Sequence, residues 1–326
     1  MKRPLIAIVA GGDSSEYQIS INGAKNILLS IDKTKYTPYI VILSSKTWHV
    51  EFNNEIFSID KNDFSFTVGG TKHKFDFAFI NIHGTPGENG ILQSYFELIA
   101  LPYSSCGVDA SVVTFNKMVC KRVVSSVNIH LAKDLIITKN DKIDINSIAK
   151  HIGFPMFIKP NSSGSSFGVT KVKEIEGIEP AIAEAFKESD IIIIEEFIEG
   201  HEYGQGIYTL NGELVVLPLT EIVSNRDFFD YLAKYEGHSE EITPAVIDPK
   251  VRQDIADDAK KIYKITGCKG VVRIDFIVKN NIPYMIEVNS VPGMSAASIV
   301  PQQVKASGKT LTEFYTEIIK ESTIKN

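Results

Sequence analysis

Apolar runs alternate with helix-forming stretches along the first hundred residues. Three runs predict buried strands: Leu5–Ala10, Tyr39–Leu43 and Phe75–Ile82. Ser14 or Ser15 is placed to cap a helix that follows the first run and ends near Ile31. Strands that are apolar on both faces, with helices between them, are typical of a parallel sheet covered on both sides. The chain is therefore expected to open with an α/β unit.

From about residue 105 the pattern becomes mixed. One helix is predicted over Ala110–Ser126 and an amphipathic helix over Asp248–Thr266. The other predicted elements are the helix Pro180–Glu188 and the strands Phe154–Lys159, Gly168–Lys173, Ile191–Phe197, Tyr203–Leu210, Glu213–Leu219, Gly270–Val278 and Pro283–Asn289. Asn211-Gly212 predicts a tight hairpin turn. Residues 223–246 are polar and aromatic without a clear period, and so long a loop inside a compact domain is usually functional.

Composition narrows the function classes. The 326 residues carry a net charge of −6 without a basic stripe, so no nucleic-acid partner is expected. No apolar run could span a bilayer, and the first residues do not resemble a signal peptide, so no membrane partner is expected. The three widely spaced cysteines, Cys106, Cys120 and Cys268, favour structural thiols in a reducing, cytoplasmic compartment.

The strongest candidate site lies at residues 271–289. The period of two along a strand puts Arg273 and Asp275 on one face, and puts Glu287 and Asn289 on one face of the next strand. Ile286 and Val288 are expected on the opposite, buried face. If the two strands form a hairpin in which the polar pairs meet, Asp275 lies opposite Glu287 and the loop has three residues, 280–282.

Two carboxylates and an amide oxygen suit Mg²⁺ carrying nucleotide phosphates. Arg273 beside them can stabilise negative charge on a transferring phosphoryl group or an oxyanion. The alternative is a solvated sheet face with a few salt bridges. The turn that follows, Asn289-Ser-Val-Pro-Gly293, favours the functional interpretation because it offers backbone N–H groups to an anion.

Three weaker signals accompany this site. Lys159 precedes a Ser- and Gly-rich stretch, 162–168, which either covers phosphates or simply connects two strands. Residues 195–198 end a very apolar strand and Glu202 follows shortly after. These residues either bind an adenine edge and a ribose hydroxyl or are simply a charged strand end. Gly11-Gly12 and His83-Gly84 end two predicted strands, where open α/β sheets bind ligands. No Walker A motif is present, and Lys309 is interpreted as a solvated residue at a helix start.

Taken in order, these segments resemble the D-alanine–D-alanine ligases of the ATP-grasp superfamily, over nearly the whole chain. The matching segments are Gly11-Gly12-x-Ser-x-Glu16, His83-Gly84 with Gly87-Glu88-Asn89-Gly90 and Gln93, Asn116-Lys117, Lys159-Pro160 with Gly164-Ser165-Ser166-x-Gly168, Ala233-Lys234-Tyr235, Arg273-x-Asp275, and Glu287-x-Asn289 with Pro292-Gly293-Met294. Three positions depart from the family's pattern: Ser163, Asn116 and Ala297.

The resemblance implies an α/β, three-domain ATP-grasp architecture, with an N-terminal Rossmann-like parallel-sheet domain and two α+β domains that clasp ATP. The implied boundaries are 1–105 for the substrate domain, 106–194 for the central domain with the phosphate loop, and 195–326 for the C-terminal domain with the metal site and a lid at 223–246. It also implies D-alanine as substrate, ATP with two Mg²⁺ ions that Mn²⁺ can replace, and a homodimer.

Residue roles follow from the same resemblance. Catalytic roles fall on Glu16, Ser165, Tyr235, Arg273 and Gly293, and substrate binding on Glu16, His83, Arg273, Gly293, Ser298 and Ile299. ATP binding falls on Lys117, Lys159, Ser165, Ser166, Glu195, Glu196, Phe197, Ile198, Glu202 and Lys234, and metal binding on Asp275, Glu287 and Asn289.

The implied reaction forms D-alanyl-D-alanine for peptidoglycan precursors through an acyl phosphate. In the family, the lid tyrosine lies near the serine of the phosphate loop and the N-terminal glutamate. This chain has a tyrosine at the matching position, Tyr235, and in this it resembles the dipeptide-forming members. Two alternatives stay open. One is an ATP-grasp ligase with D-serine or D-lactate as acceptor, and the other is a non-catalytic nucleotide-binding regulator.

Overall fold

The computed structural model describes residues 3–14, 16–162, 168–224 and 239–323. Within these ranges the chain forms three packed units, each built on its own sheet, and a small two-stranded ribbon. No helix in this part of the chain is long and apolar enough to cross a membrane.

The first sheet has the order β4-β3-β2-β1-β7. Its strands are β1 (Leu5–Gly11), β2 (Thr37–Leu43), β3 (Trp48–Phe52), β4 (Glu55–Ser58) and β7 (Phe77–Ile80), and the ribbon consists of β5 (Ser65–Val68) and β6 (Thr71–Lys74). β1 pairs in parallel with β2 and β7, as predicted. The prediction of a helix between β2 and β7 is wrong. That segment instead forms two antiparallel hairpins, β3–β4 and β5–β6, whose turns Asn53-Asn54 and Gly69-Gly70 all have positive φ.

Both faces of β1 are buried, which is why it reads as an unbroken apolar run. Ile6 and Ile8 pack with helix α1 (Tyr17–Ser30). Ala7 and Val9 belong to a second core with helix α2 (Ile91–Leu98) and the ribbon. The prediction that Ser14 caps α1 is wrong, since the helix begins later and Glu16 occupies its N-cap position. Ser15 lies outside the described residues.

The helix predicted over Ala110–Ser126 is two helices, α3 (Val108–Phe115) and α4 (Lys117–Val124), followed by a short 3₁₀ turn at 125–127. Asn116 between them has extended φ/ψ, and its side chain accepts a hydrogen bond from the N–H of Val119 at 3.0 Å. An asparagine that caps one helix cannot continue the helix before it. The single-helix prediction is therefore wrong.

The second sheet has the order β11-β10-β12-β9. Its strands are β9 (Asp134–Thr138), β10 (Met156–Pro160), β11 (Thr170–Val172) and β12 (Ile191–Glu196), and it is packed by α5 (Ile145–Ile152) and α6 (Ile178–Glu188). β12 pairs with both β9 and β10 up to Glu195. The predicted domain boundary between residues 194 and 195 falls inside this strand, and we propose that it lies after Glu196.

The third sheet carries the candidate hairpin, and its order is β16-β15-β13-β17-β18-β8 with β14 beside β13. Its elements are β8 (His130–Leu131), β13 (His201–Leu210), β14 (Glu213–Val216), β15 (Thr220–Ser224), β16 (Ser239–Ile242), β17 (Val271–Lys279) and β18 (Ile282–Asn289), with helices α7 (Pro249–Ile265), α8 (Ile299–Ala306) and α9 (Leu311–Thr323). Asn211 and Gly212 both have positive φ, which confirms the predicted tight turn.

The two faces of this sheet differ in character. Val272, Ile274 and Phe276 of β17 are fully buried against α7 and against residues of α3 and α4. Asp248 caps α7 by accepting the N–H groups of Lys250 and Val251. With one face committed to this core, the alternate residues of β17 and β18 face the space between the units.

Candidate active site

A cavity of about 630 Å³ lies where the three units meet, a size typical of small-molecule sites. Its walls include residues predicted for every part of the site: Glu16, His83, Lys117, Lys159, Glu195, Glu196, Ile198, Glu202, Arg273, Glu287, Asn289, Gly293, Ser298 and Ile299. Asp275 is 2% exposed and is not part of the cavity wall. Ser165, Ser166, Lys234 and Tyr235 lie outside the described residues.

The hairpin pairs its polar residues as predicted. Asp275 lies opposite Glu287, and Arg273 lies opposite Asn289. Directly opposed residues of an antiparallel pair have Cβ atoms roughly 5 Å apart, so the two carboxylates share one small region.

The predicted three-residue loop is wrong. A bulge between Asp275 and Phe276 shifts the register, so that Lys279 pairs with Ile282 and the turn contains only Asn280 and Asn281. Both asparagines have positive φ, as a two-residue hairpin turn requires. The extra residue in β18 is Ile286, which is half-buried at the cavity, and Met285 takes its expected place in the core beside Val288.

Arg273 and Asn289 hold Asp275 in place. Arg273 donates from Nε and Nη2 to the two carboxylate oxygens, at 2.7 and 2.8 Å, and Asn289 Nδ2 donates to Oδ2 at 3.0 Å. Such a two-point arginine–carboxylate contact fixes orientation as well as charge. Oδ2 therefore accepts two hydrogen bonds and Oδ1 accepts one, so Oδ1 keeps a further lone pair for a cation.

The donor set fits a hard divalent cation. Asp275 and Glu287 supply carboxylate oxygens, and because the Asn289 amide nitrogen donates to Asp275, its Oδ1 remains as an acceptor. The described residues contain no group of three or more His, Cys, Asp and Glu side chains with metal-binding geometry, so a cation at Asp275 and Glu287 would need the Asn289 amide as a third ligand. Oxygen donors of this kind suit Mg²⁺ that retains several waters.

Two lysines face this region from other elements. Lys117 begins α4, and its Nζ lies 3.9 Å from Glu287 Oε2. Lys159 lies in β10 and forms an ion pair with Glu195 Oε2. Both ammonium groups reach the cavity, where a polyphosphate beside the carboxylates would meet them.

Glu195 is buried between two lysines. Lys121 Nζ donates to its Oε1 at 2.5 Å, and also contacts Asp134 at 3.1 Å and the Ala132 carbonyl at 2.8 Å. Burial raises the pKa of this carboxyl, but the charges and hydrogen bonds of Lys159 and Lys121 outweigh it and lower the pKa to about 2. Glu195 is therefore ionised across the physiological range.

The rest of the predicted adenosine segment is partly engaged within the protein. The N–H groups of Glu196 and Phe197 donate to the carbonyls of Lys133 and Pro155. The ring of Phe197 packs on Phe157 and is not part of the cavity wall, so a side-chain contact with a ligand is not supported for it. Glu196, Ile198 and Glu202 do line the cavity.

Two acidic residues and a histidine gather at the first sheet. His83 Nδ1 lies 2.9 Å from the Val291 carbonyl, which requires the proton on Nδ1. Its Nε2 is buried without a hydrogen-bond partner in the described residues, so a ligand that donates a hydrogen bond would satisfy it. Glu88 accepts the N–H groups of Gly84 and Val291, and burial raises its pKa. Glu16 lies at the start of α1, in the same wall.

The remaining wall is the start of α8. Ser298 is the N-cap residue, and its Oγ accepts the N–H of Ser295 at 3.1 Å. A Cβ on Gly293 would lie 2.8 Å from Ser298 Oγ, so the two predicted anion-binding segments touch. A helix N-terminus is a favourable place for a carboxylate.

Sequence reasoning assigned no role to three residues that the structure brings to this site. Glu88 was noted only as part of a motif, whereas Lys121 and Glu241 carried no signal because their partners are distant in sequence. Lys309, predicted to be solvated, is half-buried and binds Glu317 at 2.7 Å and Tyr208 at 3.0 Å. That prediction is wrong, since both partners lie on other elements.

Comparison with known families agrees with this architecture. Residues 5–106 match the family described as the D-ala D-ala ligase N-terminus, and residues 123–320 match the D-ala D-ala ligase C-terminus. The chain belongs to the D-alanine–D-alanine ligase family. It is 48% identical over 318 residues to the D-alanine–D-alanine ligase of Parabacteroides distasonis, covering 97% of this chain and 96% of that protein. It is also 48% identical to the ligase of Phocaeicola vulgatus, covering 98% of this chain and 99% of that protein.

Solved structures of ligases share the fold. The D-alanyl-alanine synthetase A of Vibrio cholerae superposes with a TM-score of 0.88 at 28% identity, over 99% of each chain. The VanG D-Ala:D-Ser ligase of Enterococcus faecalis gives the same score and identity, over 99% of this chain and 100% of that chain. A Bacillus anthracis ligase solved with ATP gives 0.77 at 26%, over 98% and 96%. The predicted α/β, three-domain ATP-grasp fold is therefore confirmed.

Proposed function

We propose that this chain is an ATP-dependent ligase that joins two D-alanines into D-alanyl-D-alanine for peptidoglycan precursors. The polar face of the β17–β18 hairpin carries the proposal. It brings Arg273, Glu287 and Asn289 to the same cavity as two lysines, with the buried Asp275 hydrogen-bonded to Arg273 and Asn289. A carboxylate-activating site needs a cation, phosphate-binding ammonium groups and an oxyanion donor close together.

In the first step the carboxylate of one D-alanine attacks the γ-phosphorus of ATP and ADP leaves, which gives an acyl phosphate. Lys117 and Lys159 hold the phosphates, and Glu195, Ile198 and Glu202 bind the adenosine. Asp275, Glu287 and Asn289 would hold Mg²⁺, which would supply positive charge to neutralise the transferring phosphoryl group. We assign two Mg²⁺ ions to this site, with Mn²⁺ as a substitute.

The donor D-alanine lies at the first sheet. Glu16 accepts its ammonium group, and His83 Nε2, buried and without a partner in the described residues, accepts a further hydrogen bond. Positioning by these two groups turns the carboxylate towards the phosphates, which is the main contribution of an active site to such a reaction.

In the second step the ammonium group of the other D-alanine is first deprotonated, and the resulting amine attacks the acyl carbon. Phosphate leaves and takes the proton that amide formation releases. Arg273 and the Gly293 N–H stabilise the oxyanion. Ser298 and the backbone of Ile299 hold the acceptor's carboxylate at the start of α8. Ser165, Ser166, Lys234 and Tyr235 are assigned by family resemblance to the loops that close over the site and exclude water.

A D-serine acceptor is the second candidate, because the D-Ala:D-Ser ligase superposes as well as the D-alanyl-alanine synthetase does. The fold therefore does not separate the two acceptors. The relatives at 48% identity favour D-alanine. A non-catalytic regulator is disfavoured, since such a protein has little reason to keep the cation ligands and Arg273.

The test is phosphate release from Mg·ATP by the purified protein with D-alanine, D-serine, D-lactate, L-alanine or no addition. We expect release that depends on D-alanine, with dipeptide formed in equal amount. Release without dipeptide, or release that requires another acceptor, would contradict the assignment. Lys159→Ala should abolish turnover while its circular dichroism stays native, and titration with Mg²⁺ and Mn²⁺ tests the cation assignment.

We further propose a cytoplasmic homodimer. Cys106, Cys120 and Cys268 are buried free thiols, which fits a reducing compartment that also supplies ATP. Sedimentation equilibrium should give twice the 36.1 kDa chain mass. A monomer mass across the accessible concentration range would refute the dimer.

A further inference from the structure

Glu241 reaches the cavity from strand β16, which pairs with β15. It pairs with Ile222 of β15, and Ile222 packs against Ile299 in the first turn of α8. Glu241 itself lines the cavity. The pair of strands β15 and β16 therefore places the Glu241 carboxylate beside the start of α8, where we propose that the carboxylate of the acceptor binds.

One oxygen of this carboxylate is fixed and the other is available. Gln302 Nε2 donates to Glu241 Oε2 at 2.8 Å, and to the Ala297 carbonyl at 2.6 Å. The same amide thus ties Glu241 to the segment just before Ser298. Within the described ranges Glu241 Oε1 has no hydrogen-bond partner.

Gly204 of β13 lies close to both the oxyanion arginine and the start of α8. A Cβ there would lie 3.3 Å from Arg273 Cδ, 3.4 Å from Asp275 Oδ1 and 3.5 Å from Ile299 Cδ1. The oxyanion arginine and the start of α8 therefore converge at one point. Burial raises the pKa of Glu241, whereas the charge of Arg273 and the bond from Gln302 lower it, and Asp275 raises it again.

We propose that Glu241 binds the ammonium group of the acceptor amino acid through Oε1, and so makes this site select amino acids over hydroxy acids. The inference rests on the proposed ligase function and adds a residue to its acceptor site. An amino acid carries its ammonium and carboxylate groups on one carbon atom. With the carboxylate at the start of α8, the ammonium group needs a nearby acceptor, and Glu241 is the carboxylate that Gln302 holds there.

The alternative ligand for Oε1 is a side-chain hydroxyl, as on D-serine. Ile222 and Ile299 beside Glu241 are apolar and better suit a methyl group. A charged hydrogen bond is also roughly twice as strong as a neutral one, so a half-buried carboxylate is better used on an ammonium group. The ammonium assignment is therefore the one we adopt.

The test compares Glu241→Gln with Glu240→Gln. Glu240 is the exposed neighbour on the same strand, so the control makes the same change of charge outside the cavity. Glu241→Gln keeps a group that can accept the bond from Gln302. Five quantities are measured: the two KM values for D-alanine, the KM for ATP, the rate at which hydroxylamine traps D-alanyl phosphate as the hydroxamate, and the ratio of D-lactate to D-alanine transfer.

We expect Glu241→Gln to raise the acceptor KM roughly 10- to 100-fold, the effect of losing a charged hydrogen bond. The donor KM, the ATP KM and the trapping rate should stay within about twofold of wild type, and the ratio of D-lactate to D-alanine transfer should rise. Glu240→Gln should match wild type throughout.

An unchanged acceptor KM, an equal loss in the trapping rate, or an effect on D-serine alone would overturn the role of Glu241. Failure of the wild-type protein to form dipeptide would instead refute the ligase function, so the two failures are distinct.

Discussion

Replacing Glu195 by glutamine removes the carboxylate that lies between Lys121 and Lys159. In the folded protein the two ammonium groups hold its pKa at about 2, against its ordinary value of 4.5. The folded state therefore favours the ionised form. The difference of about 2.5 pKa units corresponds to about 3 kcal/mol at neutral pH.

The sign of the pH dependence follows from the direction of this shift. Because the folded-state pKa is lowered, the stabilisation is fully present above the unfolded-state value of 4.5 and disappears as the pH falls towards about 2. Glu195→Gln should thus lose about 3 kcal/mol of unfolding free energy at pH 7, and less than half of that difference should remain at pH 3.

The assay is urea unfolding followed by far-UV circular dichroism at several pH values between 7 and 3. Glu196→Gln is the matched control, since it is the next residue of β12 and is half-exposed, with a hydrogen bond from the Lys133 N–H at 2.8 Å. We expect the control to change stability by about 1 kcal/mol or less. A Glu195→Gln loss that stays constant with pH would refute the reasoning, because the loss would then come from packing and not from the charge.

Three further predictions concern the charge network around Lys121, the β17–β18 turn and the contact between Gly204 and Arg273. Lys121→Met should lower the free energy of unfolding by about 3–5 kcal/mol, because the Lys121 side chain is 4% exposed and lies between two carboxylates. Arg122 pairs with the same Asp134 but is 56% exposed, so Arg122→Met should lower it by less than about 1 kcal/mol. Equal losses of the two variants in urea unfolding would contradict this. Asn281→Val should destabilise by about 1–2 kcal/mol, since valine resists positive φ, and Asn281→Gly should not, as thermal unfolding can check. Gly204→Ala would put a Cβ 3.3 Å from Arg273 Cδ, a contact that a shift of a few tenths of an ångström relieves, so kcat should fall by less than about tenfold while the ATP KM stays constant. A fall of about 100-fold or more would contradict this.

The site could be predicted where local periodicity decides which way a side chain faces. The period of two along β17 and β18, together with the assumption that the polar pairs meet in a hairpin, placed Asp275 opposite Glu287. The turn could not be derived in the same way. Ile286 is extra in the ladder, and a bulge leaves the local pattern of apolar and polar residues almost unchanged.

The contacts that escaped prediction join residues far apart in the chain. Lys121 meets Glu195 and Gln302 meets Glu241 only after the sheets have packed, and no local spacing encodes either pair. The break at Asn116 escaped for another reason. Asparagine occurs inside helices as well as at their ends, so its presence does not mark a helix start. Asn116 acts as a cap only because α4 begins directly after it in the folded structure. Other site residues, such as Lys117, were predicted from family resemblance alone.

The central claim is that this cavity activates the carboxylate of D-alanine as an acyl phosphate. The direct measurement uses D-alanine labelled with ¹⁸O in its carboxylate, Mg·ATP and the purified protein, with mass analysis of the phosphate released. The account predicts that each phosphate released with dipeptide carries one ¹⁸O atom, taken from the donor carboxylate. Unlabelled phosphate beside labelled dipeptide would contradict it, because the carboxylate oxygen would then never have been bonded to phosphorus.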